Sequence, residues 1–423
     1  MVFNVRVERA REERHYVASQ QFGRNSLVTG HRSKEHYVPL DSVRGIAALC
    51  VVVHHFVISE PLAAVLPNRA WIDFAFFHNA WLFVDLFFVL SGIVISMSYV
   101  QSGFGSFEFR EYVARRLARI YPLHIVTLLA FLSFRMMKLG LVATGLLHFA
   151  PPEMAVNNSY SFFLNVLLLH AIGFIDYLSW NGPSWSISAE FYTYLVFGAV
   201  VVLAQRFRDI RIVYLMSLLL PLISCAFILL VLHQYSLDFH TYGLARCILS
   251  FFLGVLTLRA VALVPSAVRA SVQSMWQIGA AIGAIVIVCV VGLLPPLSFL
   301  APLVFAVLLG SLMAFAGRGM PKLLSVRPLV WLGKRSYSIY MVHALVLVLI
   351  EYFSRGVGQR SFLMIDQFGP GLAASLLLSV YVVAVLALSN LTYASIEIPG
   401  SKAIVGLLTR RPRVVATAEG GGQ

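Results

Sequence analysis

The sequence predicts an all-α fold, a polytopic membrane helix bundle of about ten transmembrane helices with both termini cytoplasmic. Composition is the first reason. Of 423 residues, 59% are hydrophobic and 12% charged, whereas a soluble domain carries roughly 45–50% apolar and 25% charged residues. With a mean hydropathy of +0.82, this excludes a soluble enzyme, a DNA-binding module and a disordered scaffold. The second reason is a series of apolar stretches, each near the length of about 20 residues that a hydrocarbon core requires. The third is the alternation of Lys and Arg between successive loops. A formal net charge of +13 would point to nucleic acid in a soluble chain; here cationic cytoplasmic loops account for it, and no nucleic-acid partner is expected.

Taken in order, residues 1–37 are polar and mixed in charge (Arg6, Glu8, Arg9, Arg11, Glu12, Glu13, Arg14), without the apolar core of a signal peptide. Spans are expected at 38–59, 78–101, 117–138, 186–205, 211–233, 243–262, 275–294, 297–315, 334–353 and 370–394. The stretch 160–175 is short and reads as a re-entrant or interfacial helix. Arg110, Arg115, Arg116 and Arg119 lie between the second and third spans, and Arg206, Arg208 and Arg211 between the fourth and fifth. Arg259 and Arg269 follow the sixth; Arg318, Lys322, Arg327, Lys334 and Arg335 follow the eighth; Lys402, Arg410, Arg411 and Arg413 follow the tenth. The alternate loops hold almost no Lys or Arg, and the longest, 139–185, holds none. That bias places both ends in the cytoplasm. It divides the chain into a cytoplasmic tail (1–37), a membrane domain (38–399) and a basic cytoplasmic tail (400–423). Cys50, Cys225, Cys247 and Cys289 lie in apolar runs with no CxxC pair; they read as core hydrophobes, not as disulfides or metal ligands.

Ionisable side chains inside spans are costly and therefore mark function. In LDSVRGIAALCVVVHHF, Arg44 and His55 are eleven residues apart, which returns to within about 20° of one helix face, about 16 Å farther along. A snorkelling arginine and a carbonyl-satisfied histidine would be the plainer reading. FVDLFFVLSGIVI places Asp85 in an apolar run, where His55 offers a partner; Ser91 and Gly92 beside it suit close helix packing. In RRLARIYP, Arg115 and Arg119 share a face at i, i+4, and planar, permanently charged donors at the cytoplasmic boundary suit phosphate. Simple positive-inside dressing is the bland account of the same residues, Arg116 included. NGPSWSISAEFYTYL packs Pro183, Trp185, Ser186, Ser188, Glu190 and Tyr192 into the external end of a span. The aromatics alone could be a membrane belt, but Glu190 requires a cationic or proton-sharing partner. GKRSYSIYMVHAL holds Tyr337, Tyr340 and His343, and YASIEIP closes the last span. His343 suits a helix–helix hydrogen bond as well as it suits chemistry.

Together the ordered motifs resemble the acyltransferase 3 family of membrane O-acyltransferases, from about Val38 to Pro399: Asp41-x-x-Arg44-Gly45, the Arg-x10-His pair ending at His55, FFVLSG, RRxxRIYP, PSWSxSxE, SYSIYMVH and YxxIExP. Ile93 stands where an aromatic often follows the SG pair, and the appended extracytoplasmic hydrolase-like domain of some relatives is not seen. The resemblance implies transfer of an acyl group, often acetyl, from acyl-CoA to a carbohydrate hydroxyl, of an exopolysaccharide, an O-antigen or a lipid-linked oligosaccharide, by a protein in the lipid bilayer of the cell inner membrane. Arg44, Arg115, Arg116 and Arg119 would then hold the donor nucleotide, and a pantetheine arm could carry its thioester towards His55. His55 would act as general base, oriented by Glu190 or Asp85 as in triad logic. A covalent acyl-enzyme on Ser186 or Ser188 stays open. Trp180 and Trp185, with Tyr192, would cap the acceptor side, where indole rings can stack on sugars. No metal and no permanently bound cofactor are expected. The rival class is a proton-coupled transporter or glycan exporter, which interior Asp, Glu and His also suit; no inverted repeat is visible in its favour.

Overall fold

The computed structural model describes residues 37–66, 68–101, 104–145, 153–265, 273–315 and 319–409. The N-terminal tail to residue 36, and Arg269, Arg318, Arg410, Arg411 and Arg413, lie outside the described residues. The described residues from Val38 onward form one compact unit, and every regular element among them is helical. In chain order, the elements that position the site are α1 (Val38–Ile58), α2 (Ala80–Gln101), α3 (Phe109–Ala143), α4 (Ser159–Val166), α5 (Gly182–Phe207), α6 (Arg211–Val231), α7 (Gly243–Leu263), α8 (Gln273–Val290), α9 (Pro295–Ala314), α10 (Arg327–Val357) and α11 (Leu372–Leu408). All but α4 and α8 are long and apolar enough to cross a membrane, nine among the described residues. The chain is a multi-pass membrane protein.

Helices α3 and α10 extend beyond the spans expected at 117–138 and 334–353, to Phe109–Ala143 and Arg327–Val357, and two further elements differ from expectation at one end. The apolar run expected to reach 294 ends as helix at Val290, because Gly292 and the Pro295–Pro296 pair stop α8 and start α9. At the other end of the chain, helical backbone continues past 399 to Leu408, through a widened π turn over Tyr393–Glu397. The 160–175 stretch holds α4, eight residues long and thus about 12 Å, too short to cross. Asn158 caps it, accepting from the Ser161 backbone while Ser161 Oγ accepts in return.

The bundle is organised around α1 and α10, its most intimate pair. They run parallel: Arg44 meets Gly333 near one end and His55 meets His343 near the other. Small residues permit the approach. A Cβ on Gly45 would lie 2.6 Å from the Gly333 nitrogen, and one on Gly333 would lie 2.2 Å from the Asp41 carbonyl oxygen. The α2–α7 crossing closes in the same way, with a Cβ on Gly92 only 1.9 Å from the Phe251 carbonyl oxygen. Lipid supplies no hydrophobic drive between helices, so close backbone packing of this kind carries much of their association. Helix α5 ends beside the start of α3, where Gln205 donates to the Phe104 carbonyl at 2.8 Å. Gly400 of α11 packs on Pro122 within α3. The end of the bundle where α1, α3 and α10 begin and α2, α5 and α11 finish collects most of the arginines, and we call it the basic end.

Candidate active site

At the basic end, α1, α3, α5, α10 and α11 gather Arg44, Arg116, Arg119, Glu190 and Glu397. Arg44 Nη2 donates to the Gly333 carbonyl oxygen at 3.0 Å and lies 3.4 Å from Asp41. It also feels the charges of Arg119, Glu397 and Glu190. Arg119 forms an ion pair with Glu397 and lies over the Tyr337 ring, 5.4 Å from its centre. The π turn in α11 carries Glu397 inward to 2% exposure, where its second oxygen accepts from Ser338 at 2.6 Å. Arg116 lies 5.7 Å from the Tyr99 ring centre and 5.9 Å from that of Tyr194. Glu190 accepts hydrogen bonds from Ser91 and, at 2.6 Å, from the Tyr194 hydroxyl. The Nε–H groups of Arg44 and Arg116 are buried without a hydrogen-bond partner, so the cluster has guanidinium donors to spare. An anion with several oxygens is what such donors bind best.

Arg115 stays outside this cluster. It is exposed and pairs with Glu111 one turn earlier at 2.5 Å. Its i, i+4 relation to Arg119 is real, but the inward stripe of α3 runs through Tyr112, Arg116, Arg119 and Leu123, and Arg115 lies beside it.

Farther along α1 and α10, the rings of His55 and His343 lie 4.7 Å apart, with planes inclined at 60°. His55 Nδ1 is 2.9 Å from the Val51 carbonyl oxygen, and His343 Nδ1 is 2.5 Å from that of Tyr340. A carbonyl oxygen only accepts, so each Nδ1 carries the proton and each Nε2 keeps its lone pair. His343 is fully buried and its Nε2 has no hydrogen-bond partner. Adjacent His54 is occupied elsewhere, its Nδ1 2.9 Å from the Phe77 carbonyl oxygen. The Tyr340 hydroxyl donates to the Pro183 carbonyl oxygen at 2.9 Å and lies 2.9 Å from Ser186 Oγ. The PSWS segment is thereby docked on α10 beside the histidine pair.

Asp85 and Glu190 do not reach His55. Asp85 is fully buried, but Arg246 of α7 donates to it at 2.6 Å and Ser250 at 2.9 Å. The Arg246 guanidinium, 2% exposed, is held between the Trp81 and Trp185 rings at 5.0 and 5.2 Å. A buried carboxylate takes a permanent cation in preference to a titratable ring, and α2 faces α7 along the side that carries Asp85. Glu190 points towards Ser91, Tyr194 and the arginines, one helix turn deeper than the PSWS loop. Arg246 and Glu397 are the functional-site residues that the motif reading does not single out. The signal for Arg246 is a cation at the end of α7 away from the arginine-rich boundary where Arg259 lies, the complement of the lone Asp85 in α2. For Glu397 it is the carboxylate of YASIEIP at the basic end of the last span.

The residues expected on the acceptor side are largely committed to structure. Trp180 is 6% exposed; its indole N–H donates to Ser161 at 3.0 Å, and Arg135 covers the ring at 5.8 Å. Trp185 gives a face to Arg246. Ser188 donates to the Leu168 carbonyl oxygen at 2.5 Å and accepts from the Ala171 N–H at 3.2 Å. Tyr192 donates to the Leu167 carbonyl oxygen at 3.3 Å. Both fasten the segment after α4 to α5, and Leu168 is held there at a φ of 57°. Ser186 bonds Tyr340 and the Pro183 carbonyl oxygen. Neither serine hydroxyl bonds a histidine or a carboxylate, the arrangement that activates a serine nucleophile.

Known proteins place this architecture. The acyltransferase 3 model, described as an acyltransferase domain, matches residues 38–386. The chain is 28% identical over 168 residues to an uncharacterized protein of Haemophilus influenzae, covering 36% of this chain and 64% of that one. It is 24% identical over 346 residues to YrhL of Bacillus subtilis, and 22% identical over 345 residues to the peptidoglycan O-acetyltransferase OatA of Listeria monocytogenes; each covers 75% of this chain and 50% of the relative. The chain thus spans less than two thirds of the length of these curated relatives. No solved structure matches it. A family model that runs from the first residue of α1 deep into α11, across both the arginine cluster and the histidine pair, identifies the chain as a member of the acyltransferase 3 family.

Proposed function

We propose that this chain transfers an acyl group, acetyl foremost, from acyl-CoA to a hydroxyl of a cell-envelope glycan, peptidoglycan or another surface polysaccharide. The observation that carries this is α1, whose Arg44 joins Arg116 and Arg119 of α3 at the basic end and whose His55 meets His343 of α10 about 16 Å farther along the helix. A pantetheine arm is of that order of length. The basic end faces the cytoplasm by the positive-inside bias, where acyl-CoA is made. There Arg44, Arg116 and Arg119 receive the nucleotide phosphates, with Arg115 on the outer rim. The thioester then lies towards His55. As the acceptor oxygen attacks the thioester carbonyl carbon, His55 Nε2 takes the hydroxyl proton; the C–S bond breaks, and the proton passes to the departing thiolate. With Ser186 and Ser188 occupied by structural hydrogen bonds, the acyl group moves directly from sulfur to the acceptor oxygen. Acyl-CoA is a substrate in this scheme, and the setting is the cytoplasmic (inner) membrane.

NMR spectra of surface glycans from cells with the gene, without it, and with His55→Ala test the proposal. O-acyl signals present only with the intact gene support it. Identical spectra from all three strains contradict it.

A further inference from the structure

We infer that His343 is the positioning partner of the catalytic base, a neutral imidazole packed beside the ring of His55 while the Val51 carbonyl oxygen accepts the Nδ1–H hydrogen bond that a carboxylate accepts in a triad. This rests on the acyl-transfer reading above. Both carboxylates nearest in sequence logic are committed elsewhere: Asp85 to Arg246 and Ser250, Glu190 to Ser91 and Tyr194. Among the described residues, no carboxylate bonds either ring. What His55 does have beside it is another imidazole, 4.7 Å between centres. The tautomer of His343 is fixed by the Tyr340 carbonyl oxygen, and its helix is fixed in turn by Tyr381, whose hydroxyl donates to the His343 carbonyl oxygen at 3.2 Å. An unpaired Nε2 lone pair on a fully buried ring is costly unless something uses it.

The imidazolium of His55 is the group that can use it. When His55 takes the acceptor proton, a positive charge forms against a ring whose remaining nitrogen is electron-rich and cannot itself donate. Two like charges at this separation would repel, so beyond its two Nδ1 protons the pair takes up only one charging proton at a time. As the acyl carbon–sulfur bond breaks, that proton passes to the thiolate sulfur of the departing coenzyme A, and the pair returns to neutral. His343 does not touch the reacting atoms; it sets the orientation and charge tolerance of the ring that does.

The test compares His343→Phe, which keeps a ring and loses the acceptor, with His343→Gln, which keeps an acceptor near the Nε2 position. Both are assayed as full-length protein in proteoliposomes with acetyl-CoA and a soluble glycan fragment. His343→Phe is expected to lower kcat by ~10–100-fold, the usual loss when an orienting partner is removed, with both KM values unchanged. His343→Gln is expected to recover most of that loss. If Phe does not fold, His343→Met makes the same comparison in a side chain that adapts to tight cores. Equal activity of Phe or Met and wild type, or an equal deficit in the Gln variant, overturns the inference and assigns His343 to packing. Absence of transfer by the wild-type protein itself would instead overturn the acyltransferase proposal, and this inference with it.

Discussion

In the proposed reaction the role of His55 turns on which ring nitrogen carries the proton, and the Val51 carbonyl oxygen places it on Nδ1. His55→Ala is expected to reduce transfer by ~10²–10⁴-fold, the usual cost of a lost general base, while monodisperse protein is still recovered in detergent. His54→Ala should cost far less, because His54 already serves the Phe77 carbonyl; the reverse order of effects would place the base on the wrong ring. Arg119 is expected to tell a different story. Lysine keeps its charge but not the planar fork, so Arg119→Lys should raise the donor KM with a smaller change in kcat, measured with acetyl-CoA varied at saturating acceptor. Unchanged donor kinetics would remove Arg119 from the donor site. These candidates stand out in the sequence because charge inside an apolar run is expensive. Their partners do not. Pairing depends on how each helix is rotated about its axis, which is why Asp85 reads as a neighbour of His55 yet pairs with Arg246, 161 positions later.

Among elements, α2 and α7 are joined by that one buried ion pair, above a crossing where Gly92 and Gly254 bring the backbones together. Removing one partner of a buried pair strands the other charge, so Asp85→Asn is expected to destabilise the protein by about 3–5 kcal/mol. The double variant Asp85→Leu with Arg246→Met should recover much of that loss, since a well-packed apolar pair often matches a buried ionic one. Thermal unfolding in detergent reads both; a double variant no better than the single would show that Arg246 has a role beyond balancing Asp85. The spans themselves were readable from apolar length, because lipid enforces it. The exceptions have local causes: Gly292 and two prolines shorten α8, and a π turn adds a bend to α11 that no periodicity of 3.6 announces. That bend is what seats Glu397 against Arg119.

For the whole molecule, the arginine cluster and the histidine pair lie at different depths of one bundle, joined by two parallel helices. That arrangement was half legible: the Arg44–His55 offset is a property of one helix, whereas the match of Arg44 to Gly333 and His55 to His343 needed the α1–α10 contact. It sets the polarity of the proposed reaction, in which the donor is received at the basic end and the acceptor approaches from the other. The most direct test reconstitutes the protein in sealed vesicles of one orientation, with radiolabelled acetyl-CoA confined to the basic-end face and a membrane-impermeant glycan fragment confined to the opposite face. Label should reach the glycan with the wild-type protein and not with His55→Ala. Transfer that requires both substrates on the same face, or that runs only with the donor on the face opposite the basic end, would contradict it.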